Sequence, residues 1–393
     1  MQGRLVRGAS LAFLPLALMG GSFPYWSREV RLRFFATDQE RAIAEITSQE
    51  GSYKLDESLP GKPITKVDLS FSPVTRATLL MVGKLPHLKV VSLIDSPVTD
   101  EDLVPLAAAR ELRTLNLMST RVNGDMLSRF GTLSSLRSLN LGHTALTDHG
   151  LAGVVSLSEL VSLDLGHNAI SDAALAYFHL PEATASPGAV GPQKLQSLNL
   201  RYTRIEGQGL KNLSDLHRLQ GLSLEGCPLT DEGMAGVGTL TCLHNLNVSH
   251  TPITDAGLLH LRAMHALRAL NLSGASVVGS GFPHIAHLPM LEALNLSFCK
   301  VQDQELPTLA SLKNLHSLNL GSCPISDQGL DCLASFPKLT QLALDCTRIT
   351  DAGLKKLKPL KQLRMVSLAG TKITPAGLNE LHQARPDLRI FFR

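Results

Sequence analysis

The chain has 393 residues, 44% of them hydrophobic and 4% aromatic, with 37 Lys and Arg against 34 Asp and Glu for a formal net charge of +3. So small an excess carries no electrostatic argument for a nucleic-acid partner. A chain of this length would ordinarily divide into two or three domains, unless an internal repeat makes one domain long.

Residues 8–27 contain no charge; Arg4 and Arg7 precede them, and Arg28, Arg31 and Arg33 come directly after. The strongly apolar part, Leu11 to Met19, suits the core of a secretory signal, and Gly20 and Ser22 offer a small-x-small cleavage site. The whole uncharged run also reaches the length of a membrane span, and the arginines behind it hinder export. Residues 1–27 therefore read as a signal peptide or an uncleaved N-terminal membrane anchor, with a soluble N-terminal helix as the alternative. Residues 28–50 predict a helical stalk and residues 51–63 a lead-in strand and loop, which together cap the first copy of a repeat that begins at Ile64.

From Ile64 onward one phrase recurs thirteen times, starting at Ile64, Leu88, Leu112, Leu136, Leu160, Leu195, Leu219, Leu243, Leu267, Leu291, Leu315, Leu339 and Leu363, with a partial copy at Leu388 and Ile390. Every interval is 24 residues except the one from Leu160 to Leu195, which is 35. Counting each start as offset 0, offsets 3 and 5 are aliphatic in every copy, the period-two alternation of a strand with one buried face. Offset 10 is Val, Leu or Ile, and the apolar pair at offsets 15 and 18 predicts a short helix or 3₁₀ turn returning on the opposite side.

Eight copies carry Asp at offset 12 (Asp100, Asp148, Asp172, Asp231, Asp255, Asp303, Asp327, Asp351), usually after Ser or Thr, where the carboxylate is expected to cap its own helical turn. Gly at offset 14 in eight copies suggests close approach of neighbouring coils. A small residue at offset 8, such as Thr144, Asn168 or Cys323, marks the bend where the strand ends and can bond backbone groups there. Of the six cysteines, Cys227, Cys299 and Cys323 fall at offset 8, Cys346 at offset 7, and Cys242 and Cys332 near the returning segments; they read as small buried residues, although Cys299 and Cys323 occupy equivalent sites in adjacent copies and a bridge between them is conceivable.

The consensus L-x-x-L-x-L-x-x-T-x-I-T-D-x-G-L-x-x-L, legible from Leu243 to Leu261 and from Leu339 to Leu357, resembles leucine-rich repeats of the ribonuclease-inhibitor-like and cysteine-containing kind. The resemblance covers residues 64–393 and implies an α/β solenoid: a leucine-rich repeat horseshoe with a parallel concave sheet and short convex helices. It also implies similarity to bacterial membrane-anchored or secreted proteins of this repeat type, which share the basic start, the single apolar segment and a stretch like Gly51-Ser52-Tyr53 before the first repeat.

A solenoid of this kind binds on its concave face. Offset 4 is Asn or Asp in nine copies, a polar ladder that either holds a partner or simply solvates the strands. Offset 7 varies most, with Phe71, His143, His167, Tyr202, His250 and Phe298 among small residues. The expected partner-binding set is His143, Asp164, His167, Arg201, Tyr202, Glu225, His250 and Phe298, because aromatic and arginine side chains concentrate binding energy at interfaces. The excess residues 181–194, rich in Pro and Gly, read as a loop insertion beside this group or as a tolerated one without a role.

His143 and His167 with Asp164 or His250 fall short of a complete metal-ligand set, and no nucleophile-elbow, zincin or phosphate-loop motif is present. The expectation is a non-enzymatic recognition module with a protein or peptide ligand, no cofactor, no metal and no nucleic acid. It would be extracytoplasmic and held at the membrane through residues 8–27 if they are uncleaved. The alternative is a cytoplasmic adaptor, since such repeats also resemble the substrate-binding repeats of F-box ubiquitin-ligase receptors, though no F-box-like helical segment precedes residue 64.

Overall fold

A computed structural model describes residues 37–179 and 191–392. Residues 8–27, the first part of the expected stalk and most of the insertion lie outside the described residues. Among the described residues fifteen strands form one open sheet whose spatial order is their sequence order. The first pair, β1 (Ser52–Leu55) and β2 (Ile64–Asp68), is antiparallel, and every later pair is parallel. Register is set by the repeat, as in Leu246 beside Leu270 beside Leu294. We number the coils 1 to 13 from Ile64 to Leu363.

Each coil turns its aliphatic offsets inward, so Leu243, Leu246, Val248, Ile253, Leu258 and Leu261 of coil 8 are all essentially without solvent contact. These columns join one hydrophobic cluster running from Ala42 to Leu388. One coil could not bury its leucines alone, so stability comes from stacking. The structure adds an apolar column that the sequence reading lacks. Offset 21, for example Leu216, Leu240 and Met264, closes the core beneath the turn leading to the next strand.

The convex returns are mostly 3₁₀ segments, with α-helices at both ends of the array (Arg76–Val82, Asp351–Leu357, Pro375–Ala384) and shorter ones between. Their aspartates act differently from expectation. In coils 12 and 13 the cap of the local helix is the preceding threonine, Thr350 or Thr374. The Asp carboxylate instead reaches the next coil: Asp255 accepts N–H groups of Val278, Gly279 and Gly281 at 2.7–2.9 Å, and Asp231 accepts from Thr254 N, Thr254 Oγ1 and Gly257 N. All eight aspartates bond the offset-11 N–H of the coil after their own. They are caps, but of the neighbour's turn, and so tie the convex side together. Offset-14 glycine makes room for this: a Cβ on Gly257 would stand 2.6 Å from Asp231 Oδ1 and one on Gly281 2.5 Å from the Asp255 carbonyl.

Both ends of the core are closed. Helix α1 (Asp38–Ser48), started by a Thr37–Glu40 capping box, buries Ala42 and Ile46, and Gln49 binds Thr78 of coil 1 at 2.7 Å. The segment expected as a stalk is thus folded onto the first coil where it is described. At the other end Arg385 is 1% exposed. Its guanidinium donates to the carbonyls of Leu360 and Leu363, both at 2.7 Å, and to Asp387. A buried charge is tolerable there because main-chain carbonyls of coils 12 and 13 and one carboxylate all accept from it.

Candidate functional site

The concave rim is shaped by one backbone decision repeated in every coil. All thirteen offset-7 residues have positive φ, from 51° at Tyr202 to 70° at Gly274. The left-handed turn swings the chain out of the strand, while its N–H still bonds the next coil, as in His167 N to the Arg201 carbonyl at 2.8 Å. The residue after it completes the bend: Thr203 Oγ1 donates to Leu200 O at 2.7 Å, whereas the thiols of Cys299 and Cys323 donate across to the previous coil at Leu272 O and Leu296 O. Both cysteines are free thiols, and burial pushes them up, to about 11 for Cys299 and about 12 for Cys323.

Glycine suits the left-handed region, and it fills offset 7 in three coils. Six other coils place a large ring there instead, at a cost of roughly 1–2 kcal/mol per residue. His143, His167 and Tyr202 form a stack across coils 4, 5 and 6, with ring centroids 5.7 and 4.7 Å apart and planes within 27° and 18°. The Tyr202 ring then lies over Gly226 of coil 7, where any Cβ would collide with it. All three rings are exposed.

Half-buried polar groups flank the stack. The Arg201 side chain leans over Gly166, its Cγ 2.8 Å from where a Cβ would stand, and its Nε is buried without a hydrogen-bond partner among the described residues. Asp164 Oδ1 accepts from Gly166 N at 2.9 Å. Glu225 accepts from Asn247 Nδ2 at 3.2 Å and from the Tyr202 hydroxyl at 3.4 Å. The structure therefore brings together six of the eight expected residues: His143, Asp164, His167, Arg201, Tyr202 and Glu225. It leaves two apart. His250 rests against Gly274 in coils 8 and 9, and Phe298 stands alone in coil 10, 66% exposed.

The Asn and Asp ladder has a structural task of its own. Its Oδ1 accepts the N–H two residues on, at 3.0 Å for Asn271 with Ser273 and Asn295 with Ser297, and at 2.9 Å for Asn319 with Gly321. Below the rim, across coils 6 to 11, the concave face sinks into a trough of about 560 Å³ floored by small residues such as Gly221, Ala269 and Ala293. Sequence reasoning missed this trough because it did not read the offset-2 column. It also missed the positive φ, although three glycines and the absence of any β-branched residue at offset 7 were available signals. Among the described residues no group of three or more His, Cys, Asp or Glu could hold a metal ion.

An open parallel sheet built from in-register 24-residue coils, bearing a curved exposed face, defines a solenoid scaffold. The chain belongs to the family of leucine-rich repeat regions, whose match spans residues 69–349. An internalin from Listeria monocytogenes is similar over 94% of this chain and 98% of its own, at 19% identity and a TM-score of 0.63. A leucine-rich repeat protein of Leptospira interrogans is similar over 84% of this chain and 90% of its own, at 18% identity and a TM-score of 0.56. These likenesses are likenesses of fold. No curated protein matches the sequence.

Proposed function

We propose that the protein is a non-enzymatic recognition module whose concave rim at coils 4 to 6 binds a protein or peptide partner. The observation that carries this reading is the stack of His143, His167 and Tyr202, three exposed rings each held in a backbone conformation that glycine would adopt more cheaply. Rings kept at such a cost, beside an arginine whose Nε has no partner among the described residues, match the composition of interface hot spots. His250 and Phe298 extend the same rim toward coil 10.

The repeat type is of the ribonuclease-inhibitor-like, cysteine-containing kind, and the protein acts outside the cytoplasm, secreted or anchored through residues 8–27. The support for both is the consensus and the uncharged N-terminal run between arginines. Among the described residues no helix is long and apolar enough to cross a membrane.

The test is a random-peptide selection against the whole chain, with affinity then measured on a variant carrying His167→Ala, Arg201→Ala and Tyr202→Ala. Selected peptides should bind the variant at least about tenfold more weakly, a loss of roughly 1.4 kcal/mol. Equal binding to both proteins would refute the choice of patch and leave the fold untouched.

A further inference from the structure

The concave face carries a second feature, separate from the rim stack. In coils 8 to 11 the outward strand positions at offsets 2, 4 and 6 hold only Asn, Ser, Ala and Gly, as in Ala269, Asn271 and Ser273, while Glu225 of coil 7 and Asp345 of coil 12 close the uncharged zone. The trough covers this zone and continues over coils 6 and 7, and its floor holds the offset-2 residues Ser197, Gly221, Asn245, Ala269, Ala293 and Ser317. In Asn271, Asn295 and Asn319 the Oδ1 accepts a main-chain N–H, which leaves Nδ2 as the donor end of the amide, whereas Nδ2 of Asn247 in coil 8 donates to Glu225. Nδ2 of Asn271, Asn295 and Asn319 has no hydrogen-bond partner among the described residues. The face thus offers a row of neutral donors, one per strand spacing of roughly 4.8 Å.

We infer that this trough binds a neutral oligosaccharide. The absence of charge at offsets 2, 4 and 6 of these four coils disfavours anionic and cationic ligands alike, whose desolvation nothing at those positions would offset. A ligand for outward amide donors must bring closely spaced acceptor oxygens, and sugar hydroxyls and ring oxygens supply them on every residue. An extended peptide running along the array presents carbonyls on one side only about every 6.7 Å, out of step with the coils. Sugars also have apolar faces that suit the alanine floor, and the exposed Phe298 ring stands on the adjacent rim as a stacking surface. This site goes beyond the rim proposal and does not depend on it.

The experiment is isothermal titration of the full chain with three neutral probes, cellohexaose, mannohexaose and chitohexaose. Hexagalacturonate and an uncharged Gly-Ser-Asn peptide serve as comparisons. At least one neutral hexasaccharide should bind saturably, and Ala269→Gln with Ala293→Gln should weaken it about tenfold or more by filling the floor. Gln stands at the equivalent position in coil 12 as Gln341, so the fold accommodates it. Ala269→Asn, which copies the residue at the equivalent position of coil 8, Asn245, provides a second floor variant. Tyr202→Ala should leave the sugar affinity unchanged while weakening rim-selected peptides. No saturable binding by any neutral probe, tighter binding of the acidic sugar or the peptide, or indifference to both floor variants would overturn the inference and leave the rim reading standing.

Discussion

At the residue scale, the offset-7 position sets two demands against each other. A left-handed backbone favours glycine, yet Phe298 sits there at φ 59° with 66% of its surface exposed, so burial gives little in return. Phe298→Gly should therefore stabilise the fold by about 1 kcal/mol. Phe298→Val should destabilise it, because a β-branched side chain fits that region worst. Urea unfolding midpoints of the two variants check this, and a Gly variant less stable than the parent would show that the ring packs more than its exposure suggests. The thiols separate in a similar way. Cys242 and Cys346 are exposed and should react readily with an alkylating reagent at pH 8. Cys299 and Cys323, held protonated by burial and bonded to carbonyls, should react only on unfolding, as mass-shift counting would show.

At the element scale, neighbouring coils are joined twice: by strand pairing on the concave side and by the aspartate contacts on the convex side. Asp255→Ala removes three hydrogen bonds to backbone groups of coil 9 and should cost about 1–3 kcal/mol in a thermal or urea melt. Asp387 acts at the C-terminal closure. The Arg385 guanidinium beside it lowers its carboxyl to about 2 from an ordinary value of 3.8. A depressed acid stabilises the fold at pH values above its unfolded value, and that contribution fades as pH falls from about 4 through 2. Asp387→Asn should flatten the loss of stability over that window, while an unchanged pH slope would mean the pair contributes nothing there. The effect is small because the carboxylate is 45% exposed. Strands, returns and coil boundaries were legible because offsets 3, 5, 10, 15 and 18 repeat without exception. The destination of the aspartate carboxylates was not. Reading a Thr-Asp pair in one phrase suggests a local cap, and only stacking shows that the carboxylate lies nearer the next coil's amides than its own.

At the scale of the whole molecule, a repeat fixes which residues meet, and this is why six members of the expected site come together. Residues 24 apart, or 35 across the insertion, stand on adjacent strands, as Asn140, Asp164 and Asn199 do. The same spacing sets His143, His167 and Tyr202 side by side. The same rule separates His250 and Phe298 from the stack, because Gly226 and Gly274 hold offset 7 in the coils between them. The trough arises only when the small offset-2 side chains of six coils are seen together. The proposed recognition surface is the concave rim of coils 4 to 6. Hydrogen exchange of the full chain with and without a selected peptide tests it most directly. Added protection is expected at the backbone amides of the strand ends bearing His143, His167 and Tyr202. Protection confined to the convex returns or to the terminal coils would contradict it.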